Sequence, residues 1–511
     1  MNPLEWMPPL MFGGLIIFML IGFPVAFSLM AAALFFAAIA ISEGFFGMPF
    51  LQAIPQRIFG SVLANDLLLA IPFFTFMGAI LERCGLAEEM LDSMGQLFGR
   101  IRGGLGYSVI IVGFILGAIT GTVAAQVIAM AMISLPVMMR YGYNMRYATG
   151  VLAASGTITQ LVPPPLVLIV LADQLKTQSG SADVGSMYLG AWGPSLLQIA
   201  LFALYTFFLS RIRPDDLPPI PQSDLTLKGW ALWKKCLLGI IPSAVLIFLV
   251  LGTIMTGIAT PTESGAMGAM GALLLAWLRR AHIPNLKGLI QEAYQNTMRI
   301  TAMVVFILIG STCFSVVFQG VDGGFWVESL FSDLPGGWIG FLIVVNLFIF
   351  FLAFFLDFFE IAFIVVPMLA PVAVKLLSPV LLDSMNGNPQ AAASAALVWF
   401  GVMLCVNMQT SFMHPPFGFA LFYLRGVAPK EVKSSDIYWG ALPWVGLQLV
   451  MVALVVTFPA LVTTFLDKPA AIVQSQDYNF TGEENKPESE AAKSKVDEDA
   501  PVAFQLDKPG K

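Results

Sequence analysis

Polar side chains inside apolar runs are where this chain can do chemistry, and they fall in four places. Thr120 and Thr122 flank Gly121 in GAITGT at 117–122. Ser155, Thr157 and Thr159 precede Pro163, and Asn407, Gln409, Thr410 and Ser411 precede His414 and Pro415. Asp357 and Glu360 stand in the apolar stretch 338–375. Hydroxyl, amide and carboxylate oxygens suit a hard cation such as sodium. A helix that starts at membrane depth turns unpaired N–H groups toward an anion.

An ionisable residue within a membrane is costly and is read as functional by default, which gives Asp357 its weight. Glu360 is read the same way, although the alternative of a carboxylate that reaches interfacial water fits it better than it fits Asp357. Membrane hydroxyls commonly bond back to their own helix, so the clustering of the hydroxyls carries more than any one of them. Thr260 and Glu263 lie in GIATPTE, 257–263, where Pro261 and an acidic first turn fit helix capping as well as an ion role. His282 sits in a basic loop and is read as solvated. Cys84, Cys236, Cys313 and Cys405 are scattered singly, without CxxC spacing, which excludes a disulfide framework or a transition-metal site. No GxxxxGK[ST] run is present, so ATP is excluded as the energy source and ion coupling is favoured by elimination. The motifs GxSxG and HExxH are also absent, and no enzymatic activity is expected.

The elements that hold these residues follow from composition. Of 511 residues, 58% are hydrophobic and 11% charged, with a mean hydropathy of +0.82, which places the chain in the lipid bilayer. Runs at 11–41, 110–137, 302–318, 338–355 and 442–465 reach the roughly 20 residues that a helix needs to cross a hydrocarbon core. The first lacks a basic leader and a small-residue cleavage site, so it reads as a retained span. Gly22 and Pro24 are positioned to break it in two. The net charge of −6 comes mostly from the polar segment 467–511, expected to be a disordered tail.

Arginine and lysine cluster at 100–102, 140–146, 211–235, 279–299 and 425–433, and the positive-inside rule assigns these connections to the cytoplasm. The connections 321–337 and 378–395 contain neither residue and belong to the outer face. Residues 104–139 therefore leave and return to one face, and 338–375 leave and return to the other. Shifting the chain by 235 residues lays Thr122 over Asp357 and Pro136 over Pro371; a second block, 152–164, matches 404–416, each ending in Pro-Pro. Proline at such positions breaks a helix.

The predicted fold is an all-α polytopic membrane protein built as an inverted repeat. The first half, 1–235, holds a re-entrant hairpin at about 104–139 and a broken helix at about 146–174. The second, 236–466, holds a hairpin at about 338–375 and a broken helix at about 396–424. Repeats of this kind are the mark of secondary transporters that bind at the membrane midplane. Counting spans forward from Lys433 puts the tail outside, provided 442–465 crosses once.

Together, the stretches GAITGT at 117–122, LPVMMRYGY at 135–143, VPPP at 162–165, GIATPTE at 257–263 and HPPFG at 414–418 resemble the large, DctM-like permease subunit of tripartite ATP-independent periplasmic (TRAP) transporters. The resemblance covers about residues 11–465. It implies an elevator-type ion-transporter architecture in the bacterial inner membrane, sodium as the coupling ion and no other cofactor. The implied partners are a small four-helix membrane subunit, a periplasmic substrate-binding protein, an organic-anion substrate and the lipid bilayer, with no nucleic acid. Carried over motif by motif, it places sodium-binding candidates at Thr120, Gly121, Thr122, Thr157, Pro163, Thr260, Glu263, Asp357, Thr410, Ser411 and Pro415. Ser155, Thr159, Asn407, Gln409 and His414 are the substrate-binding candidates. The first tip has Thr-Gly-Thr-Val where the family has Ser-Gly-Ser-Ser, and His414 opens a motif that usually begins with threonine. The stretch FLDFFEI at 355–361 looks like a branch whose relatives handle 2-oxo and hydroxy acids. A stand-alone sodium/carboxylate symporter of related architecture is the alternative; a channel and a structural membrane scaffold account less well for four matched interruptions.

Overall fold

Apolar runs in lipid have no water to satisfy their backbone, so they close their hydrogen bonds within helices. The computed structural model describes residues 3–468, apart from 226–228, 282, 284, 333, 355 and 416–417, and no strand occurs among them. His282 and the tail beyond Lys468 lie outside the described residues. The helices are α1 (Pro3–Leu20), α2 (Val25–Ser42), α3 (Ala53–Arg57), α4 (Ala70–Glu82) and α5 (Leu86–Phe98), then α6 (Gly104–Thr120), α7 (Val123–Arg140), α8 (Met145–Thr157), α9 (Leu166–Gln174) and α10 (Val184–Ile212). The second half continues with α11 (Trp230–Met255), α12 (Pro261–Leu278), α13 (Leu286–Gly320), α14 (Gly323–Ser332) and α15 (Gly337–Leu352). It ends with α16 (Phe358–Leu381), α17 (Pro389–Met408), α18 (Phe419–Val427), α19 (Ser434–Thr457) and α20 (Ala460–Thr463).

Among the described residues, 8 helices are long and apolar enough to cross a membrane, and a bent pair, 48–63 with 66–82, meets at 49° and makes up to a ninth. The run at 11–41 is two helices. Gly22 takes a φ of +94° there, and Pro24, which has no N–H to donate, caps α2. The run at 442–465 contributes to one long helix, α19, followed by the short turn α20.

Polar contacts sort the connections onto two faces. On one, Arg146 pairs with Asp436 at 3.2 Å and Arg140 with Asp224 at 3.8 Å. Asn144 bonds Asp216 at 3.1 Å, and Lys235 and Arg279 pair with Asp92 and Glu89 of α5. These are the arginine- and lysine-rich connections that the positive-inside rule places in the cytoplasm. On the other face, Arg57 bonds Gln319 at 2.9 Å, Ser181 bonds Ser394 at 3.3 Å, and Lys375 pairs with Glu328.

The two halves are built alike. In each, a short helix (α5, α14) leads into a hairpin (α6–α7, α15–α16), then a broken helix (α8–α9, α17–α18), then a long span (α10, α19). Contacts also come in mates: α7 packs on α8 as α16 does on α17, α7 on α18 as α16 on α9, and α19 on α8 as α10 on α17. The halves thus interlock, and each hairpin touches the broken helices of both. Residues Met1–Ala471 form one compact unit.

α8 and α19 approach closely, so that a Cβ on Gly150 would stand 2.2 Å from the Gly440 carbonyl and 2.5 Å from the Trp444 indole nitrogen. Small residues let membrane helices approach in this way. Gly150→Val is expected to cost about 1–3 kcal/mol from overpacking, visible as a lower melting temperature of the detergent-solubilised protein. Gly446→Ala on α19, with nothing within 4 Å of its added Cβ, is expected not to lower it, since alanine is the better helix former.

Candidate functional site at the helix interruptions

Each hairpin turns sharply. α6 ends at Thr120, Gly121 adopts a φ of +66°, and Thr122 is extended as the N-cap of α7. Only glycine takes that left-handed conformation without penalty. Gly121 and Thr122 are half-buried at the tip, while the Thr120 side chain lies outside the described residues. In the second hairpin, Asp357 is the N-cap of α16. The 235-residue shift that superimposes Thr122 on Asp357 therefore superimposes two helix starts.

The broken helices behave similarly. α8 stops at Thr157, a 3-10 turn runs over Ile158–Gln160, and α9 begins after Pro165. α17 stops at Met408, a 3-10 turn runs over Gln409–Phe412, and α18 begins after Gly418. Ser155, Thr157, Thr159, Pro163, Asn407, Gln409, Thr410, Ser411 and His414 are all buried, and Pro415 is half-buried. The two breaks meet: the Cys405 thiol reaches the Gln160 carbonyl at 3.0 Å, and Thr157 lies 3.7 Å from the Met413 sulfur.

Hairpin and break also meet within each half. A Cβ on Gly117 would stand 3.2 Å from the Thr159 Cα, and one on Gly113 2.8 Å from the Ser155 Cβ. In the second half, Asn407 donates to the Asn346 carbonyl at 2.8 Å and to its side-chain oxygen at 3.0 Å. The His414 ring stacks on Phe354 at 4.2 Å and meets Phe350 edge-on at 4.3 Å. The backbone of Ala353 lies near the imidazole without completing a hydrogen bond of good geometry.

Several candidate side chains have local partners. Thr157, Thr410 and Ser411 donate to the carbonyls three residues back, at 2.9, 2.7 and 2.6 Å. Asp357 accepts from the Glu360 N–H at 2.9 Å, and Glu360 accepts from the Asp357 N–H at 3.0 Å, a reciprocal capping box. Thr260 and Glu263 form the same box at the start of α12. α12 packs on α4 and α11, and Thr262 bonds the Asp66 carbonyl at 2.7 Å. Thr260 and Glu263 thus stand with the turn at 65–69.

Other atoms at the interruptions have no partner among the described residues: the Ser155 hydroxyl, both amide atoms of Gln409 and one oxygen each of Asn407, Gln160 and Gln448. Each such buried group costs about 1–3 kcal/mol. Gln126, Asn346 and Gln448, which motif reading passed over, are central here. Gln448 donates to Thr157 at 2.9 Å, and Gln126 to the Ser155 carbonyl at 3.0 Å. The signal available for all three was a lone amide within an apolar run. A cleft of about 730 Å³ opens between the segment 57–68, the end of α9, α13 and α16, lined by Arg57, Asn65, Asp173, Lys176, Ser311 and Phe363 among others. Phe363 is five residues into α16, about 7.5 Å along the helix from its start, so the cleft approaches the second tip. Asn65 donates to Asp173 across it at 2.8 Å.

Residues 12–461 match the family described as the DctM component of tripartite ATP-independent periplasmic transporters. The chain belongs to that family. It is a large permease subunit of a secondary transporter and a multi-pass protein of the bacterial inner membrane. It is 27% identical to the C4-dicarboxylate TRAP transporter large permease protein DctM of Rhodobacter capsulatus, over 88% of this chain and 97% of that one. It is 26% identical to the sialic acid TRAP transporter large permease protein SiaM of Vibrio cholerae, over 86% and 93%. A third relative, the isethionate TRAP transporter permease protein DctMQ of Oleidesulfovibrio alaskensis, is 25% identical over 89% of this chain and 65% of that longer one. In fold, the DctM-family chain is similar to the YdaH transporter of Alcanivorax borkumensis, with a TM-score of 0.52 at 16% identity over 80% of this chain and 87% of that one.

The cap at Asp357 separates stability from transport. Asn caps a helix about as well as Asp, so Asp357→Asn is expected to melt within about 0.5 kcal/mol of the wild type, and Asp357→Ala to lose about 1 kcal/mol. Detergent melting curves check the pair, and loss of uptake by a stable Asp357→Asn protein assigns the transport role to the charge itself.

Proposed function

We propose that this large permease imports small organic anions, carboxylates of the 2-oxo or hydroxy acid class, by sodium-coupled alternating access of the elevator type. It works with a periplasmic substrate-binding protein and a small four-helix membrane subunit; sodium is the coupling ion and no other cofactor takes part. The observation that carries this reading is the meeting of two broken helices at a fully buried point where the Gln409 amide and the Ser155 hydroxyl have no partner among the described residues. Broken helices at membrane depth supply backbone dipoles and carbonyls to an anion and its coupling ion. Each unpaired buried group gains what its burial costs when a ligand pairs with it. The printed substrates of the relatives, a C4-dicarboxylate, a sialic acid and isethionate, are all organic anions, which supports the class.

Uptake of labelled 2-oxo and 2-hydroxy acids into proteoliposomes tests the reading. With this chain, its small subunit, the cognate binding protein and an inward sodium gradient, uptake is expected to exceed the protein-free rate at least 10-fold. It is expected to vanish when either the binding protein or sodium is withheld. Uptake that persists without the binding protein moves the chain to a stand-alone symporter, and sodium-independent uptake removes the coupling ion.

A further inference from the structure

The hydroxyls around the interruptions are not equivalent. Thr157, Thr410 and Ser411 bond back to their own helices, and such bonds satisfy the donor without any ligand. Ser155 is fully buried, yet its hydroxyl makes no such bond and has no other partner among the described residues. Next to it stands Gln126 of α7, 1% exposed. Its amide nitrogen donates to the Gly113 carbonyl of α6 at 2.6 Å and to the Ser155 carbonyl of α8 at 3.0 Å. Its amide oxygen accepts from the Thr159 hydroxyl in the break. One side chain thereby ties both arms of the first hairpin to the last turn of α8 and to the break that follows it.

We propose that Gln126 is a positioning residue for the transported anion, holding the Ser155 hydroxyl as a donor and the Thr159 hydroxyl as an acceptor at the first interruption. This rests on the transport reading above. Thr159 has one hydroxyl proton, and its acceptors, the Gln126 oxygen and the Gly156 carbonyl at 2.8 Å, both belong to the protein. Its oxygen therefore faces a ligand with lone pairs only. Ser155 keeps its proton for the anion, because its backbone is anchored through the carbonyl while its side chain is left unbonded. A carboxylate is an acceptor, so Ser155 is the residue that meets it; Thr159 meets a hydroxyl or the coupling ion. Without Gln126 the Thr159 hydroxyl keeps only the Gly156 carbonyl as its acceptor, the Gly113 and Ser155 carbonyls lose a donor, and the hairpin is released from the break.

The test uses the complete transporter in proteoliposomes, with the 2-oxo or 2-hydroxy acid that the wild type takes up best, titrated together with its binding protein. Gln126→Leu, which keeps the volume and removes every hydrogen bond, and Ser155→Ala are each expected to raise KM at least 10-fold while leaving the maximum rate within 3-fold. In a Ser155→Ala background, adding Gln126→Leu is expected to raise KM by clearly less than it does in the wild type, because the Ser155 contact that Gln126 supports is already gone and only its hold on Thr159 remains to be lost. Thr159→Ser, which keeps the hydroxyl, is expected to stay within 2-fold of wild type, and Thr159→Val to match Gln126→Leu. A maximum rate that falls while KM holds, or effects of Gln126→Leu and Ser155→Ala that multiply, overturns the proposal and leaves Gln126 as a packing residue. If Gln126→Leu fails to fold, Ser155→Ala and Thr159→Val decide: a wild-type KM in either, in folded protein, overturns it as well. Failure of the wild type to show sodium-dependent uptake of any acid strikes the transport reading, whereas an active wild type with silent variants strikes this inference alone.

Discussion

A backbone amide in hydrocarbon has to find a partner inside the protein, and this requirement organises the whole structure. Two helices are broken at membrane depth, so their freed carbonyls and N–H groups need enclosure. The span that contains the second break, Pro389–Phe412, is 89% buried, against 28% for the unbroken span Val184–Ile212. The hairpins provide that cover. α6 and α7 pack on α8, α15 and α16 pack on α17, and each second arm reaches across to the other half's broken helix. The hairpins lie against protein on this side, and the interruptions are covered because the hairpins lie over them. Neither element stands alone.

The same backbone plan carries different chemistry in its two halves. At the first interruption, amide and hydroxyl groups dominate: Gln126 binds the Ser155 carbonyl and Thr159, and Gln448 binds Thr157. At the second, Asn346 pairs with Asn407, while Phe350 and Phe354 enclose the His414 ring. The two halves share their contacts and differ in their side chains, so the two interruptions are unlike environments.

Much of this was legible in the sequence, for reasons that lie in particular residues. Gly121 is required by a left-handed turn, Pro163 and Pro415 interrupt runs that are otherwise unbroken in hydropathy, and the arginines at 100–102, 140 and 146 set the face to which the first hairpin returns. What hydropathy and spacing do not encode is which oxygen each polar group meets. Asp357 and Glu360 draw notice as intramembrane charge, and the reciprocal cap between them appears only when α16 starts between the two. Thr260 and Glu263 make the same box from a similar pattern at the head of α12, beside the turn at 65–69. Gln126 was passed over because one amide in an apolar run carries no motif, and its three partners come from three different elements.

The caps themselves distinguish the two hairpin tips. α16 begins with two carboxylates whose oxygens accept its first N–H groups, so the positive end of its dipole is occupied and neutralised from within. α7 begins at Thr122, whose side chain makes no capping bond, and the first turn of α7 contains no acidic residue. The positive end of α7 is therefore left without a side-chain cap, next to the break that holds Ser155. Electrostatically the first tip favours negative charge and the second has already taken its own. The two helix starts thus differ in that Asp357 supplies a capping carboxylate where Thr122 makes no capping bond.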